Sequence, residues 1–374
     1  MKIILFANTD WYLFKFRIAQ ARALRDLGVE LLLVSPPGTF SPELEKMGYR
    51  WLSFPISRSS MNPLTEADAI LRLYRLYRVE RPDLVHHFTI KCVLYGSLAA
   101  KAASVRAIVN GVTGLGYVFN GESAPRRLLR ILVETWYRLA LRGTQAVFDN
   151  DEDRRFFVHR NLARMEVAHV VRSAGVDVEL FTPSPEPEGV PIVMLAGRML
   201  WDKGIREYVE AARLLREQGI PARLVLVGEP DTGNPASITR EQLQAWNTAG
   251  EVEWWGFRMD MLPVFKQVNI VCLPSYREGL PTTLIEAGAC GRAVAATNVT
   301  GCRDAVRDGI TGLLVPARDP VALAAALATL LRDRDMRRKM GAAGRQMAVD
   351  EFSTGRVNRD TWHVYAQAGL EVEK

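Results

Sequence analysis

Short apolar runs separated by helix-period segments recur along the whole chain. In the first half the runs Lys2–Ala7, Glu30–Ser35, Leu84–His87, Ala107–Asn110 and Ala146–Asp149 are nearly continuous in Val, Ile, Leu and Ala. A strand with one wet face alternates, whereas a strand covered on both faces does not. These runs therefore predict parallel strands. Between them, Phe16–Leu27 repeats apolar residues at helical spacing and stops at Gly28, and Pro63–Arg78 does the same ahead of Arg81-Pro82. The rhythm breaks at Thr182–Gly189, where three prolines in eight residues predict an interdomain linker. It then restarts, with strands expected at Ile192–Ala196, Ala222–Val227, Val252–Trp255, Ile270–Leu273, Ala293–Thr297 and Gly312–Val315. Helices are expected at Gly204–Glu217, Asp260–Gln267, Leu284–Ala289, Cys302–Arg307 and Pro320–Arg332. Two such series predict an α/β chain of two doubly wound parallel-sheet domains, 1–181 and 182–350. A C-terminal helix in 351–374 is expected to pack back towards the first domain.

Composition narrows the class. A length of 374 residues suits two domains, and 48% hydrophobic residues excludes general disorder. Cys92, Cys272, Cys290 and Cys302 are scattered without a CxxC, which argues against a disulfide framework or zinc site and for a reducing compartment. The first apolar run is too short for a secretory leader, and no stretch reaches the ~18–20 apolar residues of a membrane span. Charge is unevenly spread: residues 1–180 hold 25 Lys and Arg against 18 Asp and Glu, and residues 181–374 hold 23 against 24. A basic first half either meets something anionic or is a solvated basic surface. The segment Arg126–Arg142 is a basic amphipathic helix with Trp136 and Tyr137, suited to an anionic bilayer. Its other reading is a core-facing helix with a wet basic side. No aromatic-basic stacking motif supports nucleic-acid binding.

The densest chemistry follows the strand Ile270–Leu273. There Glu278 stands on a loop and Glu286 on the next helix, eight residues on, with Gly279, Leu280, Thr282 and Thr283 between them. A helix N-terminus at the carboxyl end of a parallel strand is an anion site, and a carboxylate within that helix can accept hydrogen bonds from sugar hydroxyls. A second cluster follows Ile192–Ala196: Gly197, Arg198 and Lys203 combine a planar fork with a point charge, a pair suited to a diphosphate. Gly228 and Gly256, the latter ahead of Phe257 and Arg258, end two further strands and let a ligand approach the backbone. In the first half, His86 and His87 end a strand, and of two adjacent strand residues only one faces a given side. His87, nearer the loop, is the preferred substrate contact. Asp149-Asn150-Asp151-Glu152-Asp153 contains a formal D-x-D metal motif, with Asp151 and Asp153 as its carboxylates, but its place ahead of Arg154-Arg155-Phe156-Phe157 predicts a helix N-cap with an acidic first turn.

The ordered set Gly197-Arg198…Lys203-Gly204, Val227-Gly228, Gly256-Phe257, Glu278-Gly-Leu-Pro…Glu286 and Thr311-Gly-Leu-Leu-Val-Pro316 resembles the retaining glycosyltransferases of family 4. That resemblance implies the GT-B fold, two Rossmann-like domains facing across a cleft. It also implies a nucleotide-diphosphate sugar donor, taken as a UDP-sugar, with no metal and no cofactor. Carried onto this sequence, Arg198 and Lys203 bind the diphosphate, Glu286 the ribose and Glu278 the donor sugar. Phe257 and Arg258 flank the base, and amides near Thr282 and Thr283 meet the distal phosphate. Leu280-Pro281 stands where many members have Phe-Gly. The first-half motifs His86-His87-Phe-Thr-Ile-Lys91 and Asn110-Gly-Val-Thr113-Gly114-Leu-Gly116-Tyr-Val-Phe119 are similar to bacterial enzymes extending sugar chains on undecaprenyl diphosphate. The N,N'-diacetylbacillosaminyl-diphospho-undecaprenol N-acetylgalactosaminyltransferases are of this type. His87, Lys91, Thr113 and Gly114 are then the acceptor or cleft candidates. Many members carry Gly-Gly in the first loop and His after the fifth strand, where this chain has Asn8-Thr9-Asp10-Trp11 and Thr113.

The resemblance implies transfer of an N-acetylhexosamine or hexose to a polyprenyl-diphosphate-linked saccharide. The enzyme would be cytoplasmic and peripherally attached to the inner membrane face. A UDP-sugar 2-epimerase of the same architecture and a silent sugar-nucleotide-binding subunit are the alternatives. The basic first half argues against the former, and intact Glu278, Glu286, Arg198 and Lys203 argue against the latter.

Overall fold

Every named strand pairs in parallel, as the continuous apolar runs require. The structure is a computed structural model that describes residues 1–57, 62–114, 124–172, 174–231 and 233–372, with 124–128 as backbone only. The chain forms two units, one of Met1–Ala174 with Thr354–Lys374 and the other of Gly175–Ser353.

The first unit holds β1 (Lys2–Phe6), β2 (Glu30–Ser35), β3 (Arg50–Ser53), β4 (Leu84–Phe88), β5 (Ala107–Val112), β6 (Gln145–Phe148) and β7 (Ala168–Val170), in the order β3-β2-β1-β4-β5-β6-β7. Strand order reverses between β1 and β4. Connections there leave on opposite faces: α1 (Ile18–Asp26) covers Ile3, Leu5 and Leu33, while α4 (Ile90–Ala102) joins α3 (Pro63–Glu80) over Ile4, Phe6 and Val85. A short helix, α2 (Ser41–Lys46), lies between β2 and β3; α5 (Ala124–Leu141) and α6 (Asp151–His159) flank β6. The first-loop helix starts earlier than predicted. Thr9 caps a turn at Asp10–Tyr12, and a π-helical turn at Leu13–Arg17 leads into α1. Edge strands β3 and β7 had no sequence signal, because Arg-Trp-Leu-Ser and Ala-His-Val lack the apolar run of a strand covered on both sides.

The second unit holds β8 (Ile192–Ala196), α7 (Ile205–Glu217), β9 (Arg223–Val227), α8 (Arg240–Thr248), β10 (Glu253–Gly256), α9 (Leu262–Gln267), β11 (Ile270–Leu273), α10 (Thr282–Ala289), β12 (Ala293–Thr297), α11 (Cys302–Ala305), β13 (Gly312–Val315), α12 (Pro320–Arg332) and α13 (Arg334–Phe352). Its order is β10-β9-β8-β11-β12-β13, reversing between β8 and β11. Helix α7 packs on the face of Val193 and Leu195, and α10 on the face of Met194 and Val271. The last helix, α14 (Thr354–Gln367), belongs to the first unit, where Trp362 and Tyr365 join the core.

The proline-rich stretch differs from its reading as a linker, for the chain has already entered the second unit at Gly175. Side chains of that unit clamp the stretch. Arg292, 1% exposed, donates from Nε to the Phe265 carbonyl at 2.9 Å and from Nη1 and Nη2 to Ser184 O and Oγ at 3.0 and 2.6 Å. Buried Arg337 pairs with Glu186 at 2.8 Å, and Asn269 donates to the Pro187 carbonyl at 3.2 Å. Prolines here rigidify a strap and cannot themselves donate, so side chains supply the bonds.

Replacing Arg292 by Met would take the donor from four acceptors at once, on Phe265, Ser184 and Pro185. Urea denaturation should show a loss of about 3–5 kcal/mol.

Candidate functional site

In the second unit the functional side chains stand on the loops leaving the carboxyl ends of its strands. Gly197, Gly228 and Gly256 end β8, β9 and β10 side by side: Gly197 N–H donates to Val227 O at 3.0 Å, and Gly228 N–H to Gly256 O at 2.9 Å. A Cβ on Gly228, at φ +144°, would fall 1.8 Å from Gly197 O, so nothing larger fits. Gly204, at φ +70°, opens α7 where a Cβ would lie 2.0 Å from Pro274 O. That close approach brings the β8 and β11 loops together. Lys203 Nζ thereby meets Glu278 Oε1 at 2.5 Å, at the reversal point of the sheet.

The β11 loop is braced on both sides. Tyr276 N–H donates to Asp202 O at 2.9 Å, and its hydroxyl donates to Glu207 at 2.8 Å. Burial and the Glu207 carboxylate push that phenol up to about 12, so it stays a donor. Glu278 N–H donates to Thr300 O, and a Cβ on Gly301 would fall 2.4 Å from Gly279 O. Thr282 and Thr283 are the first residues of α10, so their amides have no intrahelical acceptor. Pro281, which has no N–H, precedes them as N-cap. Glu286 lies in the same helix, 8% exposed. Arg198 Nη1 pairs with Asp231 Oδ2 at 2.7 Å. Phe257 is 50% exposed and Arg258 is exposed beyond β10. The Leu280 side chain is buried in the core. Asp231, Glu207, Tyr276 and Gly301 went unpredicted. A survey of residues following each strand's carboxyl end would have found Asp231.

The first unit corrects the histidine reading. His87 is fully buried on the face of α3 and α4. Its Nδ1 lies 2.9 Å from Asn110 Oδ1 and its Nε2 3.0 Å from the Tyr77 hydroxyl. Asn110 Oδ1 also accepts from Ser97, and Asn110 Nδ2 donates to Thr144. The ring is therefore a satisfied core group with no face left for an acceptor, and burial pulls it down to about 4. Lys91 pairs with Glu66 at 2.7 Å. Thr113 and Gly114 are half-buried beyond β5, and Thr113 lies against Tyr12. The motif from Leu115 to Phe119 lies outside the described residues. Asn150 caps α6, accepting from Asp153 N–H at 2.7 Å, as the N-cap reading required.

Helix α5 turns differently from expectation. Tyr137 is 1% exposed, and Trp136 packs edge-on against Tyr95. Ile131, Leu132 and Leu139 face outward instead, beside Arg138 and Arg142. The side chains of Arg126 and Arg127 lie outside the described residues. Among the described residues no helix is long and apolar enough to cross a membrane, and no cluster of three His, Cys, Asp or Glu is placed to hold a metal.

Two doubly wound parallel sheets, with cations, a carboxylate pair and a helix N-terminus gathered at the reversal point of the second, form the GT-B fold of glycosyltransferases. Residues 2–151 match the family described as Glycosyl transferase 4-like, and residues 178–347 match Glycosyl transferases group 1. The chain belongs to this glycosyltransferase family. It is 27% identical over 363 residues to N,N'-diacetylbacillosaminyl-diphospho-undecaprenol alpha-1,3-N-acetylgalactosaminyltransferase of Campylobacter jejuni, covering 93% of this chain and 94% of that one. It is 23% identical to UDP-Gal:alpha-D-GlcNAc-diphosphoundecaprenol alpha-1,3-galactosyltransferase of Escherichia coli, covering 72% of each. Anabaena Alr3699/HepE, solved in complex with UDP and glucose, superposes with TM-score 0.80 at 19% identity, covering 98% of this chain and 99% of that one.

Asp149, just past β6, is 8% exposed. Burial raises its carboxyl from 3.8 to about 7, against the opposing pull of Arg17 and with Asp153 adding to the rise. Between those pH values the folded protein holds a proton that the unfolded chain has lost. This group's stabilisation is thus complete below 3.8 and disappears as pH rises through 7. The Tm of Asp149→Asn relative to wild type should climb from pH 4 to pH 7 and level off above. A gap that does not change with pH would contradict the burial assignment.

Proposed function

We propose that this glycosyltransferase retains anomeric configuration, moving a hexose or N-acetylhexosamine from a UDP-sugar to a polyprenyl-diphosphate-linked saccharide. The observation that carries the donor half is the meeting of Lys203 and Glu278 at the β8/β11 reversal, beside the N-terminus of α10. Lys203 and Arg198 take the donor diphosphate, with the Thr282 and Thr283 amides on its distal phosphate. Glu286 accepts from the ribose, Glu278 holds the sugar, and Phe257 and Arg258 flank the uracil. Gly197, Gly228 and the backbone of Gly279 and Leu280 admit the ligand close to the main chain. The names of the Campylobacter and Escherichia relatives support the lipid-linked acceptor and the UDP donor.

In the reaction the anomeric C–O bond to the diphosphate breaks as the acceptor hydroxyl attacks from the same face. The hydroxyl proton passes to the departing diphosphate oxygen. Charge growing on that diphosphate is met by Lys203, Arg198 and the helix-end amides, which are stronger partners in the transition state than in the ground state. These cations supply the neutralisation without a metal ion. The first unit takes the acceptor, with Thr113, Gly114 and Lys91 at its carboxyl edge. The protein works at the inner face of the cytoplasmic membrane, held by the apolar and basic outer side of α5.

A panel of nucleotide sugars assayed with EDTA present tests the donor site. Wild type should turn over a UDP-sugar, and Lys203→Ala and Glu286→Ala should each lose about 30-fold or more in kcat/KM while folded. Wild-type rates in both variants would refute the assignment. Vesicle co-sedimentation tests the membrane reading. Binding should need anionic lipid, weaken as salt rises, and fall about 10-fold or more in the Ile131→Ser, Leu132→Ser, Leu139→Ser triple variant. A wild type that ignores anionic vesicles at low salt would favour a soluble acceptor.

A further inference from the structure

The first unit has its own reversal point, between β1 and β4, and a buried cation stands there. Arg17 ends the π-helical turn after β1 and is 7% exposed. Its guanidinium lies 4.2 Å from the ring centroid of Phe88, the last residue of β4, and 5.3 Å from that of Tyr12. Its Nη2 donates to the Tyr12 hydroxyl at 2.7 Å, and its Nε is buried with no partner. Among the described residues it makes no ion pair. Tyr12 is a phenol that burial holds protonated, and His86 is held neutral by burial and by Arg17 itself. Asp149 is the carboxyl that feels Arg17, and burial keeps its proton until about pH 7.

A guanidinium taken out of water needs an anion, and aromatic faces offset only part of the loss. Every other buried arginine described above is spent on carbonyls or carboxylates. One residue beyond Phe88, whose ring lies under Arg17, is a second buried donor. Thr89 follows Phe88, and its buried hydroxyl has only the Cys92 thiol beside it. Its backbone sits at φ +75°, ψ +156°, a region that suits glycine and strains a β-branched residue. Strain is tolerated where the surrounding structure fixes a group for use.

We infer that Arg17 and Thr89 form a phosphate receptor at the β1/β4 reversal, and that its ligand is the diphosphate of the lipid-linked acceptor. The inference rests on the acceptor proposed above. The guanidinium edge presents donors only, and the hydroxyl can turn its O–H outward to donate, as a diphosphate requires. The aromatic residues around Arg17 raise the effect of its charge by excluding water. Arg17 thus selects acceptors by their anionic linker, separately from the donor cations Arg198 and Lys203.

The test compares a short-chain polyprenyl-diphosphate-linked saccharide with the same saccharide on a neutral alkyl aglycone. Wild type should favour the diphosphate acceptor in KM, and Arg17→Gln should cut that preference about 30-fold. Arg17→Lys, which keeps the charge and loses the fork, should fall between them. Should Arg17→Gln not fold, Arg17→Lys and the isosteric Thr89→Val carry the comparison. An unchanged preference in folded variants, or equal losses on both acceptors, would overturn the inference. Inorganic pyrophosphate, titrated calorimetrically into UDP-saturated protein, isolates the receptor from the donor site. It should bind wild type and bind Arg17→Gln at least about 10-fold more weakly. Equal binding overturns the receptor whatever the acceptor proves to be. Failure of wild type to use the diphosphate acceptor, with pyrophosphate still dependent on Arg17, overturns the acceptor reading instead.

Discussion

A parallel sheet whose strand order reverses cannot cover its own carboxyl edge at the reversal. Connections from β8 and β11 leave for opposite faces, because right-handed crossovers running in opposite directions place α7 and α10 on opposite sides. The gap they leave is lined by loop starts, helix N-termini and glycines. Lys203 and Glu278 meet in that gap because Gly204 lets one loop lie against the Pro274 carbonyl of the other. The bonds from Tyr276 to Glu207 and Asp202 then keep the pair from drifting. Site and fold therefore have one origin, the topology of the sheet.

Satisfaction of buried polar groups separates structural residues from receptor residues in the first unit. His87 lies deep in the core, yet both ring nitrogens have partners, and Asn110 passes the network on to Ser97 and Thr144. Nothing in it waits for a ligand. Arg17 is nearly as buried and has one phenol for a partner. Burial of an ion is costly unless its donors are met: Arg292 meets carbonyls of its own chain, whereas the Nε of Arg17 is left without a partner. The two residues look alike in a list of buried polar groups and differ in their accounting of donors and acceptors.

Arginines also decide how the second unit is bounded. Arg292 and Arg337 draw the proline-rich stretch onto that unit. Rigid prolines and buried guanidinium bonds together make a strap of a segment that composition alone describes as a loose connector. The points where the chain changes unit, after Ala174 and after Ser353, carry no comparable composition signal.

The strands covered on both faces were legible from the chain alone, since double burial imposes an unbroken apolar run; β2, β8, β11, β12 and β13 fall on their predicted residues. That Gly197, Lys203, Glu278 and Glu286 fall around strand ends and helix starts was legible too, because a strand end followed by a helix start is a local pattern. Strands β3 and β7 were not, as Arg-Trp-Leu-Ser and Ala-His-Val carry no apolar run, whereas the edge strand β13 keeps one in Gly-Leu-Leu-Val. Nor was the side on which a residue falls: His87, Trp136 and Tyr137 turned inward and Ile131 outward, because the neighbours that bury a side chain come from distant elements. Helix α13 escaped notice because its buried side is made of Gly341, Gly344 and Ala348 as much as of Met340 and Met347. Sequence spacing sets which residues share a strand or a helix turn. Only tertiary packing decides which of them find partners, and so which of them, like Arg17, are left wanting one.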